Sequence, residues 1–132
     1  DEEIIKYVDI LIPNEHELER ISRKEINSHE AIIDAASLLL KKGVKQLVIT
    51  LGDKGVLYID NAGYKLFDAY KVDAIDTTAA GDSFIGGFVS SYIKDRNIEN
   101  AIDIGQKTAA LTIQKIGAQS SLPTIAEVLN FK

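Results

Sequence analysis

Two hydrophobic periods alternate along the chain. Tyr7 to Ile12 is a short apolar run closed by Pro13 and Asn14, the pattern of a buried strand ending in a turn. Glu15 to about Ile21 predicts a short helix. Asn27, with Glu30 three residues on, offers a capping pair for a second helix from Ser28 to Lys42. Ile32, Ile33, Ala36, Leu39 and Leu40 form its apolar face, and Gly43 follows as a C-cap. Gln46 to Thr50 predicts the next strand, and its unbroken Leu47-Val48-Ile49 centre suggests burial on both faces.

After Thr50 the pattern changes. Leu51 to Gly55 predicts a turn, Val56 to Ile59 a strand, Asp60 to Gly63 another turn. Tyr64 to Ile75 predicts one or two further strands ending at Asp76. From Gly81 the period is helical again, to about Lys94. A long helix follows from about Ile98 to Ile116, with Ala101, Ile104, Ala109, Leu111 and Ile113 among its apolar positions, and Gly117 stops it. Thr124 and Glu127 form a capping box for a last short helix. This order predicts an α/β layered fold with a largely parallel sheet. Ligands of such sheets gather at the carboxyl ends of the strands. Three strand ends here carry polar or glycine residues: Pro13 to Glu15, Thr50 to Asp53 and Asp76 to Thr78.

Composition narrows the class. A chain of 132 residues with 45% hydrophobic content can build one domain with a real core. Its 15 basic and 20 acidic residues give a net charge of -5, with no basic run to neutralise phosphates, which argues against a nucleic-acid partner. No apolar stretch approaches a membrane span, so no membrane role and a cytoplasmic location are expected. The absence of cysteine rules out disulfides and thiolate metal sites. His16 and His29 lack partner ligands at metal-binding spacing. Methionine is absent too, even at the first position, which leads to the expectation of a piece of a longer protein.

The stretch Asp76-Thr-Thr-Ala-Ala-Gly-Asp-Ser-Phe84 carries the clearest candidate chemistry. Ala80, Gly81 and Asp82 open a helix, where free backbone N–H groups beside small residues form an anion site. Asp82 in that first turn is favoured as a carboxylate by the helix dipole. It could take a proton from a hydroxyl while the N–H groups stabilise a phosphoryl group in transfer. Local features alone favour a plainer account, an acid that stabilises a helix start.

The same residues, "DTTAAGDSF", resemble the DTxGAGD signature of the ribokinase-like (PfkB) carbohydrate kinase family. "ILIPNEHELERI" resembles that family's PNxxE segment, "LVITLGDKGVLYI" its TLGxxG segment and "KIGAQSSLP" its glycine loop near the C-terminus. All four occur in the family's order, from about Val8 to Pro123. The chain departs from the usual signature at Ala79, where most members have glycine. That alanine, with the later Gly-Ala-Gln, is similar to the ribokinase branch and points to ribose over fructose or a nucleoside.

By position, the resemblance implies roles. Asp82 matches the general base for the sugar hydroxyl, and Ala80, Gly81 and Asp82 match the residues of the anion hole. Asn14 and Glu17 match positions near the nucleotide phosphates and Mg²⁺, which takes oxygen ligands and keeps waters. Without the resemblance, Asn14 is a turn residue and Glu17 a solvated helix acid. Thr50, Gly52, Asp53 and Gly55 match a turn that contacts ATP, although a plain hairpin turn explains both glycines. Gln106 falls at the adenine pocket, or is simply a helix-surface glutamine. Asp76, Thr78, Thr112, Lys115, Gly117 and Ser121 match the ligands of a monovalent cation, K⁺, mostly through backbone carbonyls. The plainer account of Asp76 is a turn or capping acid before Thr77 and Thr78.

Residues 1–132 thus resemble the C-terminal part of a PfkB kinase domain and lack the N-terminal sugar-binding and lid portion. The expected function is an ATP-dependent sugar kinase acting on a primary hydroxyl, with the isolated chain inactive. The alternatives are a non-catalytic nucleotide-binding module, a folding unit, or a kinase for another acceptor. An exposed sheet edge and apolar helix faces would favour self-association, as in a homodimer.

Overall fold

The computed structural model describes residues 2–72, 80–114 and 128–129. The chain divides into two compact units, Asp1–Asp68 and Ala69–Lys132. Asp76, Thr78, Lys115, Gly117 and Ser121 lie outside the described residues, as do the Thr124–Glu127 capping pair and the strand end at Asp76.

The first unit is an α/β layer. After the short helix α1 (Glu2–Ile5) come β1 (Ile10–Leu11), α2 (Glu15–Ser22), α3 (His29–Lys41) and β2 (Gln46–Thr50), then β3 (Val56–Asp60) and β4 (Gly63–Phe67). The strands lie side by side in that order. β1 pairs with β2 in parallel, and α2 and α3 supply the long crossover that a parallel pair requires. β2–β3 and β3–β4 are joined by short turns and pair antiparallel. The described sheet is therefore mixed, where the alternation of elements suggests a largely parallel one.

β1 is shorter than the apolar run from Tyr7 to Ile12. The Tyr7 and Val8 amides instead donate to the Ile4 and Ile5 carbonyls and continue the end of α1, which leaves Tyr7 77% exposed. β2 matches its expected bounds. Leu47 and Ile49 enter a core with Leu57 and Ile59 of β3 and with Leu18, Ile32, Ala35, Ala36 and Leu39 of the helices. Val48 points to the opposite face and is buried as well, so β2 is covered on both sides.

α3 starts one residue later than the sequence suggests. Ser28, not Asn27, has the extended backbone of an N-cap, and its hydroxyl accepts from the Ala31 amide at 3.1 Å. Glu30 thereby moves out of the position a capping box requires. At the other end Gly43 sits one residue past the Lys42 C-cap. The two-residue turn Asn61-Ala62 joins β3 to β4, with Asp60 Oδ1 accepting from the Ala62 and Gly63 amides at 2.8 and 3.2 Å. β4 is an edge among the described strands, and Tyr64 and Leu66 are exposed on it. The strand pattern expected beyond Phe67 is not continued through residue 72.

The second unit is a helix pair, α4 (Ala80–Asp95) and α5 (Ile98–Ile113). Arg96, at φ 58, and Asn97 make the connection. Asn97 caps α5 by accepting from the Asn100 amide at 3.0 Å. Phe84 and Phe88 of α4 and Ala101, Ile102 and Ala110 of α5 are buried. Two glycines let the helices approach closely. A Cβ on Gly105 would lie 2.8 Å from the Phe84 ring, and one on Gly87 would collide with the Thr108 side chain. Among the described residues no helix is long and apolar enough to cross a membrane.

Candidate active site

Two clusters hold the described candidate residues, one in each unit. In the first, β1 and β2 run parallel, so the segments after their carboxyl ends emerge at the same end of the sheet. Pro13 and Asn14 follow β1; Leu51 to Gly55 follow β2. The Thr50 amide donates to the Pro13 carbonyl at 3.0 Å, and Asn14 and Thr50 form an isolated parallel bridge. Asn14, Glu17, Thr50, Gly52, Asp53 and Gly55 are thereby gathered at one sheet end.

Asn14 and Glu17 are joined by a capping box. Asn14 Oδ1 accepts from the Glu17 amide at 2.8 Å, and Glu17 Oε1 accepts from the Asn14 amide at 2.9 Å. The arrangement fixes both side chains on the exposed rim of α2 and leaves Glu17 Oε2 and the Asn14 amide group facing outward for further partners. The signal was local: asparagine with glutamate three residues on, ahead of the apolar Leu18.

The segment Gly52–Lys54 is a single 3₁₀ turn. The Leu51 amide donates to the Gly55 carbonyl at 2.8 Å, closing the hairpin between β2 and β3. Gly52 at φ 64 and Gly55 at φ 102 occupy the half of backbone space that glycine enters at no steric cost. Hairpin closure therefore accounts for both glycines. It also leaves Gly52, Asp53 and Lys54 exposed at the sheet end beside Asn14, with buried Gly55 beneath them.

In the second unit Ala80, Gly81 and Asp82 form the first turn of α4. Backbone N–H groups in a first helical turn have no helical acceptor, and the dipole favours negative charge beside them. Gly81 leaves open space: among the described residues outside its own helix turn, no atom lies within 4 Å of where its Cβ would be. The Asp82 side chain is exposed at this opening, while Ser83 and Phe84 immediately after it are buried. The turn thus presents a carboxylate outward and turns its next two residues in.

Thr112 lies on the last turn of α5, fully buried. Its hydroxyl is 2.8 Å from Ser83 Oγ and 2.9 Å from the Thr108 carbonyl. Gln106, half-buried on α5, lies about 9 Å along the helix axis from Thr112 and so away from the Asp82 turn. On the same helix, Asp103 Oδ1 accepts from the Tyr70 hydroxyl, and Lys107 Nζ lies 3.2 Å from Asp103 Oδ2. Burial, followed by that hydrogen bond and the charge of Asp103, pushes the Tyr70 phenol up to about 12. Neither the Ser83–Thr112 pair nor the Tyr70–Asp103 pair was evident from periodicity, because each joins residues far apart in the chain. Among the described residues no group of three or more histidine or acidic side chains could by itself hold a metal ion.

The chain is 44% identical over 127 residues to a ribokinase of Staphylococcus aureus, covering 96% of this chain and 42% of the relative. It superimposes on the crystal structure of a Thermotoga maritima ribokinase with a TM-score of 0.91 and 42% identity, over 99% of this chain and 44% of that one. The Arabidopsis thaliana ribokinase solved with ribose and ATP gives a TM-score of 0.93 and 30% identity, over 99% of this chain and 43% of that one. The α/β fold is therefore that of ribokinases, and the chain spans about two fifths of the length of these relatives. The family model for pfkB carbohydrate kinases matches residues 1–125, and the chain belongs to that family.

Proposed function

We propose that this chain carries the phosphoryl-transfer machinery of an ATP-dependent ribose kinase. The observation that carries the reading is the α4 start, where an exposed Asp82 carboxylate stands in the first helical turn, within the family's own signature. Asp82 removes the proton from a primary hydroxyl of the sugar. The resulting oxygen attacks the γ-phosphorus of ATP, the bond from that phosphorus to the β–γ bridging oxygen breaks, and ADP leaves. The Ala80, Gly81 and Asp82 amides stabilise the charge that grows on the phosphoryl oxygens. Base catalysis of this kind is worth about 10²–10⁴-fold.

Asn14, Glu17 and the Thr50–Gly55 turn bind the nucleotide in this reading, and Gln106 borders the adenine. Glu17 fits Mg²⁺ held through water: one carboxylate oxygen is fixed by the Asn14 amide, and the other is left to accept from a metal-bound water. The Mg²⁺ supplies charge neutralisation on the phosphates when bound. For K⁺, Asp76, Thr78, Thr112, Lys115, Gly117 and Ser121 form the ligand set. Thr112 suits it through its carbonyl, since its hydroxyl is already used.

The chain spans about two fifths of its relatives, so we expect the 132 residues alone to turn over no ribose. We place the protein in the cytoplasm, where its phosphate donor is, and as a homodimer. Support for self-association is the exposed β4 edge with Tyr64 and Leu66. A second reading, a nucleotide-binding unit without turnover, draws on the capping box, which explains Asn14 and Glu17 without any catalytic role. Asp82→Asn in the protein at its natural length separates the two. The kinase reading requires loss of ATP-dependent ribose phosphorylation with ATP affinity near normal; undiminished turnover would overturn it.

A further inference from the structure

A base on an exposed helix start has to be aimed by its backbone. The two residues after Asp82 do the holding. Phe84 rests its ring on the notch at Gly105, an apolar contact that sets how closely α4 approaches α5. Apolar packing alone permits small slides and rotations of one helix over another. Ser83 adds a directional contact: its Oγ is 2.8 Å from Thr112 Oγ1, and both side chains are buried.

The direction of that contact follows from proton counting. Thr112 Oγ1 also lies 2.9 Å from the Thr108 carbonyl, and a hydroxyl has one proton. The carbonyl can only accept, whereas Ser83 brings a proton of its own. Thr112 therefore donates to the Thr108 carbonyl, and Ser83 donates to Thr112. The relay from Ser83 through Thr112 to the α5 backbone satisfies every hydroxyl in it and runs one way. The Thr108 hydroxyl in turn donates to the Ile104 carbonyl at 2.7 Å, so the same face of α5 bears a second back-bonded threonine. The first turn of α4 is in this way fastened in rotation and axial register to the last turn of α5.

We propose that Thr112 is a positioning residue for the phosphoryl-transfer step, acting through the Ser83 hydroxyl to set the Asp82 carboxylate. The inference rests on the reading of Asp82 as the base. A displacement of 1 Å at a reacting group can cost about 10²-fold in rate. A relaxed first turn, with Phe84 still seated, should cost less.

The test uses the protein at its natural length with four variants: Thr112→Val, Thr112→Ser, Ser83→Ala and Asp82→Asn. Valine keeps the shape and the backbone carbonyl of Thr112 and removes only the hydroxyl. Thr112→Val should lower kcat roughly 10-fold with KM for ATP unchanged, and Thr112→Ser, which keeps the hydroxyl, should restore it. Ser83→Ala leaves Thr112 bonded to the Thr108 carbonyl and strands no buried donor, so it serves even if Thr112→Val fails to fold. It should lower kcat in the same way, and combining it with Thr112→Val should add nothing. A fall in melting temperature with wild-type kcat, measured well below the transition, would mean a purely structural contact and overturn the inference. Asp82→Asn keeps the two failures apart. If it retains turnover, the reading of the base is wrong; if it is inactive while Ser83→Ala and Thr112→Val match wild type, only the positioning role is.

Discussion

Asn14 and Glu17 hold each other in place: each side chain accepts the other residue's backbone N–H, at 2.8 and 2.9 Å. The bond pair begins α2 and at the same time fixes the two side chains expected near the nucleotide. Structure and chemistry can therefore be separated by choice of substitution. Asn14→Ala strips the Glu17 amide of its acceptor and should cost about 1 kcal/mol of stability. Glu17→Gln keeps an oxygen for the Asn14 amide, so its unfolding midpoint in urea should shift by less than the equivalent of about 0.5 kcal/mol. If Glu17 orients a metal-bound water, that same isosteric change should raise KM for the Mg²⁺–ATP complex roughly 10-fold. An unchanged KM would leave Glu17 as a capping residue only.

How much of this was legible in the sequence depended on the distance over which each feature is written. β2 stood out because its Leu47-Val48-Ile49 centre is a local apolar run, and it proved buried on both faces. The start of α3 was legible to within one residue; Asn27 and Ser28 both have capping chemistry, and only backbone angles select Ser28. Asn14 and Glu17 carried a readable capping signal that resemblance to a ligand site overshadowed. Ser83 and Thr112 are 29 positions apart and meet only because Gly87 and Gly105 let their helices close up. No window of local periodicity contains such a pair.

The turn after β2 gives a second separation of roles. Gly55, at φ 102 and ψ -142, occupies a region that side chains enter only with strain. Gly52, at φ 64, is left-handed, which asparagine tolerates. Gly55→Ala should cost about 1–3 kcal/mol, and Gly52→Asn less than about 1 kcal/mol, as read from urea unfolding. Equal costs at the two positions would mean that the turn relaxes into another form.

The close approach of α4 and α5 predicts a sensitivity that exposed glycines should not share. A methyl group on Gly105 meets the Phe84 ring at 2.8 Å, whereas one on Gly81 meets nothing within 4 Å among the described residues outside its own helix turn. Gly105→Ala should destabilise the helix pair by about 1–3 kcal/mol through overpacking. Because Phe84 is displaced, kcat should fall as well. Gly81→Ala has room and favours helix, so its thermal midpoint should hold or rise. A Gly105→Ala protein as stable as wild type would show that the helices can part at little cost.

Tyr70 and Asp103 predict a dependence on alkaline pH. Burial first, then the hydrogen bond and charge of Asp103, raise the phenol from 10.0 to about 12. A folded-state value above the unfolded one means that the neutral phenol is the form the fold favours. The stabilisation is therefore complete below about pH 10 and drains away as pH climbs through about 12. Lys107 Nζ lies 3.2 Å from the other oxygen of Asp103, so the acceptor of the phenol is held from its second side as well. Tyr70→Phe should lower stability by about 1 kcal/mol near neutrality, with the gap to wild type closing between about pH 10 and about pH 12. The difference between wild-type and Tyr70→Phe ultraviolet titrations should isolate one tyrosine that ionises near 12. A difference titration centred on 10.0 would show that Asp103 does not hold the phenol proton.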